Sequence, residues 1–471
     1  MTDPPSPSPP IDLLRGHPRT SLLPVSPLLT ATTSTLTSPL PTDSYAASRH
    51  PLHYGPDLGN WDVRVEIAGW VREMYGLDKA EEIAAERVCL TSGASYALGE
   101  VLRQCTSPVT GYTRRAFVVT PTYYLVGRVL EDAGFADKMT AVRSLPGGTI
   151  DFGFLEKELE RLEKISPEVS LEEGLRPYLR PGVKMDAKRI YRHILYCVPT
   201  YSNPTGETFS LATRHRLLSL ARKYDILIVS DDVYDFLGNV GDGSAVDGEG
   251  RLLPRLVTLD ARDCDKTGAG NTVSNCSFSK LLGPGLRCGW IESATGKIAR
   301  IVGEGGANHS GGAPSHFAST LLLPLLRPSL TPPQTRLITP LIHRFRLAYT
   351  STSHTALRAI RTHLPPSTRI SGGKGGFFIW LEFPPEIDAR GVVKVAREME
   401  NGVIVGSGDM SECMGGDRNW CNWGRSCVRI SVAYQDEEGV EEGVRRLGEA
   451  VRRWRENPIQ GEVETGVVKE E

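Results

Sequence analysis

Between Val88 and Val233 the chain alternates short unbroken apolar runs with amphipathic stretches. Ala116-Phe117-Val118-Val119, Ile194-Leu195-Tyr196-Cys197-Val198 and Ile226-Leu227-Ile228-Val229 are rich in Val and Ile. Such runs suit strands buried on both faces, as in a parallel sheet. Ser210 to Tyr224 lies between two of them and reads as a crossover helix, capped by Ser210 and packed through Leu211, Leu217, Leu218 and Ala221. A helix is also expected over Asp62 to Tyr75, where Val63, Ile67 and Trp70 or Val71 recur at helical spacing. The pattern changes after about Arg327: a long helical stretch runs to Thr362, and a Gly-rich turn, Gly372 to Gly376, opens a strand-like Phe377 to Leu381. A second strand-like run, Val428 to Val432, and a charged helix, Asp436 to Arg455, follow. The expectation is an α/β protein: a mostly parallel central sheet with helices on both faces, plus a smaller α+β domain.

The punctuation of the chain suggests its boundaries. Residues 1–10 read as a disordered tail, 11–50 as an extended arm associated with the small domain, 51–327 as the large domain, 328–456 as the small domain and 457–471 as a loose tail. Glu156 to Arg189 is highly charged and Gly238 to Asn271 is rich in Gly and Asp, so both are expected to be surface insertions. Composition narrows the function classes. With 40% hydrophobic and 23% charged residues and a net charge of -2, nothing favours nucleic acid or an anionic membrane. The densest apolar run, Leu321 to Leu326, is short and broken by Pro324, so no membrane span is expected. Met1 to Pro10 has neither the basic start nor the apolar core of a secretory signal. The nine cysteines show no CxxC and no zinc spacing, which implies free thiols, a reducing cytoplasmic setting and no metal.

Four elements carry chemistry. In Ser277-Phe278-Ser279-Lys280-Leu281-Leu282-Gly283-Pro284-Gly285-Leu286-Arg287, a lysine stands between two hydroxyls and an arginine across a Gly-Pro-Gly turn. A lysine that forms a Schiff base needs neighbours that grip the aldehyde's phosphate, and hydroxyls and a guanidinium supply that grip. Ser230-Asp231-Asp232-Val233-Tyr234 ends an apolar strand on acids and a phenol, at the strand end where open α/β sheets bind ligands. A carboxylate there suits a protonated pyridine nitrogen, and a phenol three residues on suits the ring's 3-oxygen. Pro199-Thr200-Tyr201-Ser202-Asn203-Pro204-Thr205-Gly206 is a tight turn that offers the Asn203 amide. Thr91-Ser92-Gly93-Ala94-Ser95 opens a helix with small residues, which lets backbone N–H groups face a phosphate. Each element alone has a plainer reading: a surface lysine, a solvated strand end, a turn, a helix cap.

In this order the four elements resemble the fold-type I pyridoxal-phosphate (PLP) aminotransferases of class I/II. The string Leu282 to Arg287, Gly375-Gly376-Phe377-Phe378-Ile379-Trp380, Val428-Arg429-Ile430-Ser431, Tyr54-Gly55-Pro56 and Gly311 to His316 are similar to the aminoadipate/aromatic aminotransferase-like subgroup. The likeness covers roughly residues 11–455. It implies that Lys280 holds PLP and shuttles the proton, that Asp231 pairs with the pyridine nitrogen, and that Asn203 and Tyr234 bond the 3-oxygen. Tyr123 would stack on the ring, and Ala94, Ser95, Ser277, Ser279 and Arg287 would hold the phosphate. Tyr54 would reach that phosphate from a partner subunit, which implies a homodimer. Arg429 would bind the substrate α-carboxylate in a bidentate pair, with Asn203 as a second substrate-binding residue. The implied activity, in amino-acid metabolism, moves an amino group between an aromatic or aminoadipate-like amino acid and a 2-oxo acid. The same fold also carries β-lyases and cyclopropane-forming synthases, and PLP-sensing regulators that bear an N-terminal winged helix. The loop Met410 to Arg425, rich in Gly, Cys and Trp, departs from the family pattern on the substrate side. His17 and Arg19 face either the substrate or the surface. Tyr123, Phe377 and Trp380 suit an aromatic substrate and core packing equally.

Overall fold

The computed structural model describes residues 9–38, 50–77, 83–165, 169–178, 188–241, 245–246, 251–263, 268–330, 334–413 and 421–461. Its centre is an eight-stranded sheet. In chain order the strands are β1 (Val88–Thr91), β2 (Arg115–Thr120), β3 (Met139–Leu145), β4 (Thr149–Ile150), β5 (His193–Cys197), β6 (Ile226–Asp231), β7 (Thr272–Ser277) and β8 (Gly289–Ser293). They lie side by side as β1-β8-β7-β6-β5-β2-β3-β4. All pairings from β7 through β6, β5 and β2 to β3 are parallel, while β8 and β4 run against their neighbours.

The apolar runs form strands because both faces of the sheet are covered. Alternate residues enter opposite cores: Val118, Ile194, Leu227 and Val229 pack on one face, and Phe117, Leu195, Ile226 and Ile228 on the other. The helices Trp61–Tyr75 and Leu211–Lys223 form where the periodicity predicts them. Asn60 Oδ1 caps the first by accepting from Val63 N (3.2 Å), and Ser210 Oγ caps the second by accepting from Thr213 N (3.2 Å).

A second, four-stranded sheet contains β9 (Arg369–Gly372), β10 (Phe378–Glu382), β11 (Gly406–Ser407) and β12 (Cys427–Ser431), ordered β9-β10-β12-β11 and antiparallel throughout. The long helix Ile338–His363 and the final helix Glu437–Glu456 cover it, burying Ile379, Leu381, Val428 and Ile430 against Ile360, Val444 and Leu447. Among the described residues no helix is long and apolar enough to cross a membrane.

Two expectations fail. The arm is not extended throughout. Ile11–Asp12 pairs with Val403–Ile404, but Val25–Thr37 is a helix. Ser and Thr masked its periodicity, since they are weak helix formers. Their hydroxyls bond back within the helix, Thr32 Oγ1 to Leu28 O at 2.8 Å and Thr37 Oγ1 to Thr33 O at 2.7 Å. Pro27 sits in the first turn, where a missing N–H costs nothing. Residues 39–49 of the arm lie outside the described residues. The two presumed insertions also contribute to the core. The helix Phe152–Ile165 is charged on one side only and buries Leu155, Leu159 and Leu162; Leu256–Asp263 buries Leu256 and Leu259 in the same cluster. Only parts of each stretch lie outside the described residues.

Candidate active site

The strands that share one direction all end on the same edge of the large sheet, where the candidate residues gather. β1 runs through Ser92 and Gly93 into the helix Ala94–Cys105, with Ala94 at its start and Ser95 exposed. Gly93 has φ 99°, and a methyl carbon built there would lie 2.7 Å from Arg287 Nη2. Arg287 arrives from the other side, after the turn at Pro284–Leu286, and donates from Nη2 to Ser92 O (2.8 Å). Ser277 and Ser279 stand beside it, joined by a 2.9 Å bond between their hydroxyls. A guanidinium, a helix N-terminus and three hydroxyls line one corner of the cavity, a set of donors that suits an anion.

Asp231, the last residue of β6, lines the same cavity. Its Oδ2 accepts from the Tyr196 hydroxyl at 2.6 Å, while Oδ1 is buried and accepts no bond. Burial pushes its pKa from 3.8 to about 6; the Tyr196 bond acts in the other direction. The Tyr234 hydroxyl is held neutral by burial and by the Asp231 charge, against a smaller opposite pull from Arg429 and Asn203. Tyr123 follows the cis peptide Thr120–Pro121 and lines the cavity between these groups. Lys280 ends the short turn Phe278–Lys280; its Nζ donates to Gly16 O (2.5 Å) and lies 5.5 Å from the centre of the Phe377 ring.

The small sheet supplies the third side. Arg429, on β12, is buried; Nη1 donates to Asn203 Oδ1 (3.0 Å) and Nη2 to Leu14 O (2.7 Å), and the guanidinium lies 4.2 Å from the Phe378 ring centre. Gly16 and His17 close the rim. Arg19 points away, donating to Gln435 O at 3.1 Å. In the atypical loop, Met410 packs on Leu14 and Tyr124, and Trp423 Nε1 donates to Thr120 Oγ1 (3.3 Å). Burial pushes the Glu412 carboxyl up to about 7. Residues 414–420 lie outside the described residues.

The result is one cavity of about 290 Å³. Ala94, Ser95, Tyr123, Asn203, Asp231, Tyr234, Ser277, Ser279, Lys280, Arg287 and Arg429 all line it. Tyr54 does not line its own chain's cavity and is 77% exposed. Trp380 also lies outside the cavity, packed on Trp423. Sequence reasoning missed Tyr196, Tyr124 and Asn275. Alternation along β7 could have found one of them, since Asn275 precedes the candidate Ser277 by two residues. These residues fit a flat, phosphorylated pyridine aldehyde: cationic and hydroxyl groups for a phosphate, a buried carboxylate oxygen without a donor for a ring nitrogen, and an amine for the aldehyde.

The family model of "Aminotransferase class I and II" matches residues 43–447. The chain belongs to that family. Among its relatives, an uncharacterized protein of Saccharomyces cerevisiae is 38% identical over 93% of this chain and 96% of its own length. The 2-aminoadipate transaminase of Thermus thermophilus is 28% identical over 85% of this chain and 82% of its own. A crystal structure of the α-aminoadipate aminotransferase of Thermus thermophilus, complexed with N-(5'-phosphopyridoxyl)-L-leucine, superposes with a TM-score of 0.68 at 23% identity, covering 95% of this chain and 93% of that one. The fold is that of the fold-type I aminotransferases, as the order of motifs led us to expect, and the chain is an enzyme of the transaminase type.

Proposed function

We propose that this aminotransferase uses PLP held by Lys280 and moves an amino group from an aromatic or aminoadipate-like amino acid to a 2-oxo acid. The observation that carries the reading is convergence: Lys280, Asp231, Arg287 and Arg429 reach one cavity from four different elements. When bound, PLP supplies an aldehyde that takes up the amino group and a ring that spreads negative charge. Lys280 Nζ is the base that takes the α-proton of the amino acid and the acid that returns it. Asp231, through its unpartnered Oδ1, would keep a proton on the ring nitrogen. Tyr234 and Asn203 would donate to the ring oxygen, Tyr123 would cover the ring, and Ala94, Ser95, Ser277, Ser279 and Arg287 would hold the phosphate. Arg429 receives the substrate carboxylate in a two-point bond, already oriented by Asn203 and Leu14.

Two further features belong to this reading. The homodimer is supported by Tyr54, which is exposed and lies outside its own chain's cavity, and by the exposed side chains of Val25, Leu29 and Leu52. Tyr54 would then complete the partner's phosphate site. The aromatic donor is supported by Tyr123, Tyr124 and Phe378 on the cavity wall, and the aminoadipate-like donor by the named Thermus relative. Cys89, Cys105, Cys197, Cys276, Cys288 and Cys427 form no disulfide, which suits a reducing compartment such as the cytoplasm.

A panel of amino donors assayed with 2-oxoglutarate tests the substrate class. Aromatic or aminoadipate-like donors should lead, and Lys280→Ala should abolish multiple turnover. Sustained turnover in that variant, or pyruvate released from cysteine conjugates without an added oxo acid, would overturn transamination.

A further inference from the structure

The turn that carries Asn203 contains a conformation that its sequence disfavours. Tyr201 has φ 48°, in the left-handed region that a bulky residue rarely occupies, yet it is only 1% exposed. Its ring sits in a seat built from glycines on two other segments. A methyl carbon added at Gly375 would lie 2.4 Å from Tyr201 Cε1, and one at Gly376 would lie 2.8 Å from Tyr201 Cβ. One added at Gly238 would lie 2.3 Å from the Tyr201 hydroxyl oxygen. No larger residue fits at these three places while the ring stays where it is.

The seat joins the two sheets. Gly238 bridges Gly375, Gly376 N donates to Leu237 O (3.0 Å), and Asn239 N donates to Lys374 O (3.0 Å). These bonds fasten the stretch after β6 to the turn that opens β10. Further along the Asn203 turn, Ser371 Oγ donates to Thr205 O at 2.9 Å. Asn203 lies two residues beyond Tyr201 in the same short turn, which Gly206 N closes on Ser202 O (2.6 Å). Asn203 in turn holds Arg429, and Phe378, two residues beyond Gly376, lies under the same guanidinium.

We propose that Tyr201 is a positioning residue: seated among Gly238, Gly375 and Gly376, it locks the Asn203 turn to the small sheet and so fixes the Asn203–Arg429 pair. The disfavoured backbone is tolerated because the seat holds it, as expected of strain kept at a working site. The proposal rests on the PLP aminotransferase reading for what that pair binds.

The test is a double-mutant cycle between Gly238→Ala and Tyr201→Phe on the cofactor-loaded protein. Gly238 does not have a positive φ, and the nearest atom an alanine methyl would meet is the Tyr201 hydroxyl oxygen, at 2.3 Å. Gly238→Ala should raise KM for the amino acid and lower kcat/KM by about tenfold to hundredfold, as displacements near 1 Å do. Adding Tyr201→Phe removes the clashing oxygen and should recover most of that loss. Tyr201→Gly is the second variant: it suits the left-handed backbone and empties the seat, so KM should rise while the protein stays folded by circular dichroism. Unchanged kinetics in Gly238→Ala, a loss that Tyr201→Phe does not recover, or wild-type KM in Tyr201→Gly would each overturn the proposal. A wild-type protein that shows no visible absorbance band with PLP would instead overturn the functional reading beneath it.

Discussion

Asp231 shows how one residue exchanges stability for function. Its carboxyl titrates near 3.8 in an ordinary setting and at about 6 when buried here, with burial as the main cause. Between those values the folded, cofactor-free protein holds a proton that the unfolded chain has released. The neutral acid therefore favours folding in full below about pH 4, and the contribution fades as pH rises through 6. Asp231→Asn copies the neutral form and still accepts from Tyr196. We predict that the cofactor-free variant is more stable than wild type at pH 7, by on the order of 3 kcal/mol, with the gap closing below about pH 4. Denaturant melts at several pH values measure this, and an equal gap at pH 4 and pH 7 would contradict it. The same variant should bind PLP more weakly, since Oδ1 no longer offers a charge to the ring nitrogen. Asp231 was legible in the sequence because it ends an apolar strand. Its partner Tyr196 was not, because an aromatic residue inside a buried strand looks like core.

Among the elements, the start of the helix Ala94–Cys105 is the most sharply defined part of the site. Gly93 is required twice, for its φ of 99° and for the room it leaves Arg287. Gly93→Ala should push the guanidinium off Ser92 O and weaken PLP binding by tenfold or more, about 1.4 kcal/mol. Fluorescence titration of the cofactor-free variant measures this, and wild-type affinity would contradict it. Elements with a strong period were readable: β2, β5 and β6, the capped helix Leu211–Lys223 and the final helix all fall within a residue or two of their expected bounds. The helix Val25–Thr37 was not readable, because its hydroxyl side chains satisfy helix carbonyls that the sequence pattern does not reveal. Leu256–Asp263 was hidden by the Gly- and Asp-rich residues around it, although its own Leu256, Val257 and Leu259 are buried. Tyr201 was invisible for a different reason: its seat is assembled from segments far away in sequence.

At the scale of the whole molecule, the cavity belongs to neither sheet alone. The large sheet brings Lys280, Asp231 and the proposed phosphate corner, the small sheet brings Arg429, and the arm adds the Leu14 and Gly16 carbonyls to the two cations. Tyr54, exposed and outside its own cavity, extends this division to a second subunit in the proposed dimer. Mixed dimers test that step. A subunit carrying Tyr54→Ala paired with one carrying Lys280→Ala contains one site in which both residues are intact. Refolding the two together should therefore yield more activity than either variant alone, whereas the simple sum of the two would contradict a shared site.

Borohydride trapping decides whether Lys280 is the residue that holds PLP. The protein loaded with PLP is reduced with sodium borohydride, digested, and its peptides are weighed. A phosphopyridoxyl group is expected on the peptide that contains Lys280, with the visible absorbance band lost on reduction and absent from Lys280→Ala. Label on a different lysine, or a Lys280→Ala protein that keeps both band and label, would contradict it.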